Sequence, residues 1–252
     1  MNHSSLDKTS ILNTYDEYKN VYNNSLGSLE DNAKILLENS LYLSIFTTFE
    51  LFLKDIIDIY IRKAIVDGIC FSNLVDSFAI EYLKNRERQF DNFFKNQNQN
   101  QNQILSSFTN IKSLLEGDLS EEDLRIYVRF EFLHKKKLDK YYPALMEQIL
   151  GIKNFLESIE IEFPDTDSDT LGVELREIKN AKHFLSIYTE KIRNSIAHEN
   201  SQFSVGNTSF EKCVESFKEI TNKIYDQFIS YNELQDTERL SNIMRDNILD
   251  SE

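Results

Sequence analysis

Arg193, Asn194 and His198 gather a guanidinium, an amide and an imidazole into one short run, Ile192-Arg193-Asn194-Ser195-Ile196-Ala197-His198-Glu199, which closes with a carboxylate. No other stretch concentrates so many groups able to do phosphate chemistry. Imidazole titrates near neutrality, so His198 can move the proton of a ribose 2′-hydroxyl or of a leaving oxygen. Guanidinium stays charged and grips phosphate oxygens in pairs, a role open to Arg193. Asn194 donates and accepts, so it can orient either neighbour. No spaced set of metal ligands accompanies them. Cys70 and Cys213 stand apart with no His or Cys partner, and Asp165, Asp167 and Asp169 lack the glycine and terminal Glu of an EF-hand loop. The chemistry these residues suit is metal-independent transesterification of RNA, with no cofactor.

Spacing complicates that reading. Successive residues of an α-helix turn by about 100°, so Glu190, Asn194 and His198 fall near one line, while the Cβ directions of Arg193 and His198 differ by about 140°. One regular helix does not aim both at one atom. Either the arginine curls round, or the helix end is distorted, or a second copy of the chain completes the site. Spacing alone is also met by ordinary cations at a helix C-terminus, where they complement the dipole.

The elements that must position these residues read as helices. Two prolines and six glycines in 252 residues leave few breakers, and no alternating run with Asn-Gly or Asp-Gly turns argues for strands. Residues 10–23 form a first amphipathic helix, followed by a break at Leu26-Gly27-Ser28. Residues 28–67 carry the widest apolar stripe and predict the central core helix, with Gly68 as its C-cap. Glu50 interrupts that stripe within Phe49-Glu50-Leu51-Phe52-Leu53-Lys54. It reads either as an edge carboxylate paired with Lys54 one turn on, or as a buried, site-facing acid. Further helices are expected over residues 71–94 and 104–115, from a capping box at Ser120-Glu121-Glu122-Asp123, and from Pro143 to Gly151. The motif helix is expected over residues 171–198, with Leu171, Leu175, Ile178, Ala181, Leu185, Tyr188, Ile192 and Ile196 inward. A last core helix covers residues 210–231.

The alternating Asn and Gln of residues 96–103 have nothing apolar to bury and read as an exposed variable loop at about 95–104. The basic run His134-Lys135-Lys136-Lys137-Leu138-Asp139-Lys140 reads as a solvated face or as phosphate steering. The polar tail, about 233–252, is one more helix or a loose end. Helices on both sides of the amide tract need each other for burial, so residues 1–252 are expected as a single domain. A formal net charge of -14 excludes a general nucleic-acid coat but not a local basic site. Apolar stretches are broken by charge, no signal segment opens the chain, and the thiols are unclustered, so a cytoplasmic protein with no membrane span is expected.

Arg193-Asn194-x-x-x-His198 resembles the Arg-x(4–6)-His signature of the HEPN superfamily in its Arg-Asn-x-x-x-His form. Ile-Arg-Asn-Ser-Ile-Ala-His is similar to the run in the RiboL-PSP-HEPN and MAE_28990/MAE_18760-like groups, and Phe49-Glu50-Leu51-Phe52-Leu53-Lys54 to the Phe-Glu-x-x-(Leu/Ile)-Lys run on their early helix. The resemblance spans residues 36–228 and implies an all-α, HEPN-like antiparallel helical bundle, here with extra helices and a polyamide loop. It implies an endoribonuclease of toxin–antitoxin or antiviral defence systems, acting on RNA as a homodimer, with an antitoxin or defence-system protein as partner. It makes Arg193 and His198 catalytic, with Asn194 supporting them and Glu50 orienting Arg193 or His198. Two positions depart from the pattern. Many members carry Gly after the motif histidine, where this chain has Glu199, and the modified tyrosine of His-x-Tyr members is Asn200 here. The alternative is a non-catalytic HEPN helical module that binds a protein partner or a nucleotide.

Overall fold

A computed structural model describes residues 6–76, 79, 80, 83, 105, 106, 108, 109, 112, 115–125, 142–161, 178–199 and 207–249; at 26, 125, 142–144, 198, 199, 207–209 and 233–249 it describes the backbone alone. Among these residues every extended element is helical, in an all-α fold whose sole β pairing is two isolated bridges. We number the helices α1 (Lys8–Ser25), α2 (Asp31–Val66), α3 (Glu121–Arg125), α4 (Tyr142–Leu150), α5 (Phe155–Ser158), α6 (Ala181–Ile187), α7 (Asn194–Glu199) and α8 (Asn207–Leu249). The amide tract, the basic run and Asp165 to Asp169 lie outside the described residues.

Helix α2 is the spine. Its apolar positions recur at three- and four-residue steps, and Tyr42, Ile45, Phe46, Phe49, Phe52, Leu53, Ile56 and Ile57 are buried. Its end was legible. Gly68 takes φ +67°, the Gly68 amide donates to the Ile65 carbonyl at 3.2 Å, and the Ile69 amide donates to that of Ala64 at 3.0 Å. That pair is a Schellman closure, which needs the left-handed conformation glycine adopts without strain. The capping box also forms: the Asp123 amide donates to the Ser120 hydroxyl at 3.1 Å, and the Ser120 amide donates to the Asp123 carboxylate at 3.0 Å.

Helix α1 runs antiparallel to both long helices. Tyr22 meets Glu38 and Tyr18 meets Thr48, so residue numbers on α2 rise as those on α1 fall. Against α8 the same order appears in polar pairs, from Lys8–Asp226 at 2.6 Å through Lys218–Asp16 at 2.6 Å and Lys19–Glu215 at 3.0 Å to Asn23–Glu211 at 2.8 Å. Exposed pairs of this kind each contribute at most about 1 kcal/mol, so they set register more than stability. Stability comes from the aromatic rings between the helices. Tyr22 stacks on Phe210 at 4.1 Å, Phe210 sits edge-on to Tyr42 at 5.1 Å, and Phe217 is edge-on to Phe49 at 5.3 Å.

Helix α8 is longer than its sequence pattern indicates. The backbone stays helical through the polar tail to Leu249, 43 residues in all. Its packing on α4 is tight where Gly151, at φ +67°, ends that helix: a Cβ added there would meet the Tyr231 ring at 2.2 Å. Gly151→Ala combines that overlap with backbone strain, so it is expected to destabilise the fold by about 2 kcal/mol or more, read as a lowered urea midpoint with an unchanged slope.

Candidate active site

The motif helix starts later than its periodicity implies. Residues 162–177, with Leu171 and Leu175, lie outside the described residues, but Ile178, Lys179 and Asn180 are in no helix, and Asn180 is extended. The Ile161 amide donates to the Lys179 carbonyl, and the Ala181 amide to that of Ile159. Asn180 then caps α6, its side-chain oxygen accepting from the His183 amide at 3.0 Å. An Asn oxygen satisfies an orphan amide at a helix start better than it serves mid-helix, which is why the helix begins at Ala181 despite the apolar Ile178 before it.

The helix does not stay regular. Residues Tyr188–Arg193 form a π-helical segment, and the Asn194 amide donates to the carbonyl of Thr189, five residues back. Such wide turns are rare and cluster at functional sites. Steps of four overshoot an α-helical turn by about 40° each, so a four-residue apolar rhythm drifts round a regular helix. Tyr188, Ile192 and Ile196 are nonetheless all buried, because the wider turn absorbs the drift. Two side chains hold this segment. The Tyr188 hydroxyl donates to the Tyr42 carbonyl at 2.9 Å, and the buried Thr189 hydroxyl to that of Leu185 at 2.7 Å. The Tyr188 ring also stacks on Phe46 at 6.0 Å and meets Phe217 edge-on at 4.8 Å.

The Phe46–Tyr188 contact joins the wide turn to α2, and Glu50 lies one turn beyond Phe46 on that helix. Glu50 is half-buried. Burial raises its carboxyl above the ordinary value, and the Arg193 charge opposes that rise. Glu50 is thus neither fully exposed nor fully buried, and the Arg193 charge acts on it. Arg193, also half-buried, donates from Nη1 to the Asn194 side-chain oxygen at 3.0 Å. The result is a guanidinium held by an amide, with its charge felt by a half-buried carboxyl, so its remaining donors can turn to a phosphate.

His198 lies on α7, and its side chain is outside what the structure describes, as is that of Glu199. Its backbone position still constrains the site. Regular α geometry resumes at Asn194, after the wide turn. The wide turn ends at Arg193 itself, the first residue of the Arg–His pair. Glu190 is exposed, whereas Asn194 is half-buried.

Sequence reasoning did not anticipate two features. Tyr188 counted only as one residue of a stripe, although its hydroxyl and ring anchor the wide turn. Glu38 is 6% exposed and accepts from the Tyr22 hydroxyl at 2.9 Å, with burial raising its carboxyl.

Because the fold raises the Glu50 carboxyl, the neutral form is the better fit, and its contribution to stability is lost as pH rises through the carboxyl range. Glu50→Gln is expected to raise the thermal midpoint by a few degrees at pH 7, and the gain should vanish below about pH 4, where the carboxyl is neutral in both states. Melting curves of both proteins across that range check it; a gain of equal size at low pH would remove the electrostatic cause.

No helix among the described residues is long and apolar enough to cross a membrane. The family model described as RiboL-PSP-HEPN matches residues 6–230. No curated protein and no solved structure matches the chain.

Proposed function

The chain belongs to the RiboL-PSP-HEPN family, and from that membership we propose that it is a metal-independent endoribonuclease of a toxin–antitoxin or antiviral defence system, working as a dimer. The observation that supports the reading is the setting of Arg193: half-buried, bonded to the Asn194 side-chain oxygen at 3.0 Å, with its charge acting on the half-buried Glu50 carboxyl of α2. An arginine needed only for a helix end would sit in solvent without a carboxylate and an amide arranged around it.

In the proposed reaction the ribose 2′-oxygen attacks phosphorus, its proton leaves, and the departing 5′-oxygen gains one. Arg193 holds the non-bridging oxygens as charge builds on them. His198 carries one of the two protons. Asn194 fixes the guanidinium, and Glu50 acts as a positioning residue for Arg193. The divergence of Arg193 and His198 supports a composite cleft in which each chain supplies part of a site.

Incubating the purified chain with RNA in EDTA tests the proposal. Cleavage by the wild type, with loss in Arg193→Ala and in His198→Ala, is the expected outcome. No cleavage, or equal cleavage by all three, would reject it in favour of a non-catalytic helical module.

A further inference from the structure

We propose that a cavity at the far end of α2 binds a free α-amino acid, its carboxylate inward and its ammonium at the mouth. The cavity measures about 290 Å³ and lies where the last turns of α2 meet α4, α8 and the turn at Phe71–Asn73. Tyr60, Lys63, Ala64 and Asp67 line it from α2. Offsets of three, four and seven residues put them on one helix face, and Ala64 is too short to fill the space between the others. Liquid water takes about 30 Å³ per molecule, so the space suits a ligand of roughly ten non-hydrogen atoms. Tyr60 lies ten residues beyond Glu50, about 15 Å along the helix, so the cavity is separate from the candidate active site and does not depend on the nuclease reading.

The inner wall offers donors. The Tyr60 hydroxyl is buried and has no hydrogen-bond partner among the described residues. Burial raises its phenol above the ordinary value, so it stays protonated and can donate. A buried hydroxyl without a partner is destabilising, and an acceptor on a ligand removes that cost. Gln148 of α4 lies beside it. The Gln148 side-chain oxygen accepts from the Val75 amide at 3.0 Å, which leaves its N–H groups for the cavity. Asn73 is committed in the same way. Its oxygen accepts from the Ser72 hydroxyl at 3.2 Å and from the Cys70 thiol at 3.3 Å, so it too offers N–H groups. Lys63 donates to the Asn232 carbonyl at 3.2 Å, and an ammonium, with three donors, can hold more than one partner. Three neutral donors and a cation match a carboxylate, whose two oxygens accept from several directions.

The mouth has the opposite character. Asp67 is exposed there. The Asn232 side chain donates to the Phe228 carbonyl at 2.6 Å, which leaves its oxygen to accept. Helix α2 ends at Val66, so the negative end of its dipole lies at Asp67 as well. These groups favour an ammonium. Lys63 and Asp67 are one turn apart on the same face, so a carboxylate set against the first brings an ammonium on the next carbon towards the second. A simple anion would meet Asp67 and a chain of formal net charge -14, whereas a zwitterion carries no net charge into that field. Ile69 and Tyr231 complete the lining and suit an uncharged ligand side chain.

Thermal melting of the full chain with each standard L-amino acid at millimolar concentration tests the site. At least one with an uncharged side chain is expected to raise the midpoint, and its N-acetyl and C-amide derivatives, which each lack one of the two charges, are not. Calorimetry with that amino acid should show binding weakened about tenfold or more in Tyr60→Phe and in Asp67→Asn. Without ligand, Tyr60→Phe should melt at or above the wild-type midpoint, because it removes a donor that has no partner. Asp67→Asn, at an exposed position, keeps the test decisive should Tyr60→Phe fail to fold. The proposal is overturned if no amino acid with an uncharged side chain raises the midpoint, or if either derivative binds as well as its parent. Undiminished binding by the variants, or a lowered midpoint for ligand-free Tyr60→Phe, would overturn it equally.

Discussion

Arg193→Ala is expected to lower RNA cleavage by about 10²- to 10³-fold, the usual cost of removing one preorganised donor from a site where negative charge develops. The loss should fall mainly on kcat, because the guanidinium gains most when the phosphorane carries extra charge. Arg193→Lys keeps the charge but not the paired donors that can span Asn194 and a phosphate, so it should recover only a small part of the activity. The same alanine variant has a signature away from catalysis. Arg193 is the charge that holds the Glu50 carboxyl down against burial, so its removal should move Glu50 further up. A carboxyl titration followed by NMR in the absence of RNA reads that shift. Loss of cleavage with an unmoved Glu50 would mean that the two side chains do not act on each other in solution.

Tyr188→Ala carries the largest expected cost to the fold, about 3–5 kcal/mol. The Tyr188 side chain is 1% exposed, stacks on Phe46, meets Phe217 edge-on and ties its hydroxyl to the Tyr42 carbonyl. Removing it leaves a cavity at the junction of α2, α8 and the motif helix, and frees the wide turn that sets the direction of Arg193. Tyr188→Phe separates the two roles. It keeps the ring and leaves the Tyr42 carbonyl without that donor, at a cost of about 1 kcal/mol, and should cleave RNA at close to the wild-type rate. Chemical denaturation with the cleavage assay beside it distinguishes them. Equal stability losses for the two variants would show that the hydroxyl, not the ring, is the anchor.

Much of this frame could be read from residue order, and the exceptions have physical reasons. The apolar rhythm of α2, Gly68 beyond its end and the Ser120–Asp123 box depend on local rules of burial, left-handed backbone and reciprocal capping, so they were legible. The placement of Glu50 was half legible: buried neighbours on its helix hinted at an inward acid, but Arg193 comes from a segment far along the chain. Glu38 was not legible, because the hydroxyl that makes its burial tolerable belongs to Tyr22 of α1. The start of the motif helix was misjudged because Leu171, Leu175 and Ile178 continue the spacing of Ala181 and Leu185, while Asn180 offers a cap that ends that continuity. The wide turn left a trace in the four-residue rhythm of Tyr188, Ile192 and Ile196, but α and π geometry differ there by about one residue of register, which a short apolar pattern does not separate. The divergence of Arg193 and His198 is an expectation from helix spacing, and the His198 side chain lies outside the described residues.

That divergence makes the composite cleft the centre of the functional account, and mixed subunits test it. Arg193→Ala and His198→Ala chains, each inactive alone, are unfolded together, refolded as a mixture and assayed on RNA in EDTA. Where one chain supplies arginine and the other histidine, half of the dimers are mixed and each mixed dimer holds one intact site, so cleavage should return to about a quarter of the wild-type rate. A mixture no more active than its parents, with dimers present, or parents as active as the wild type, would contradict the account.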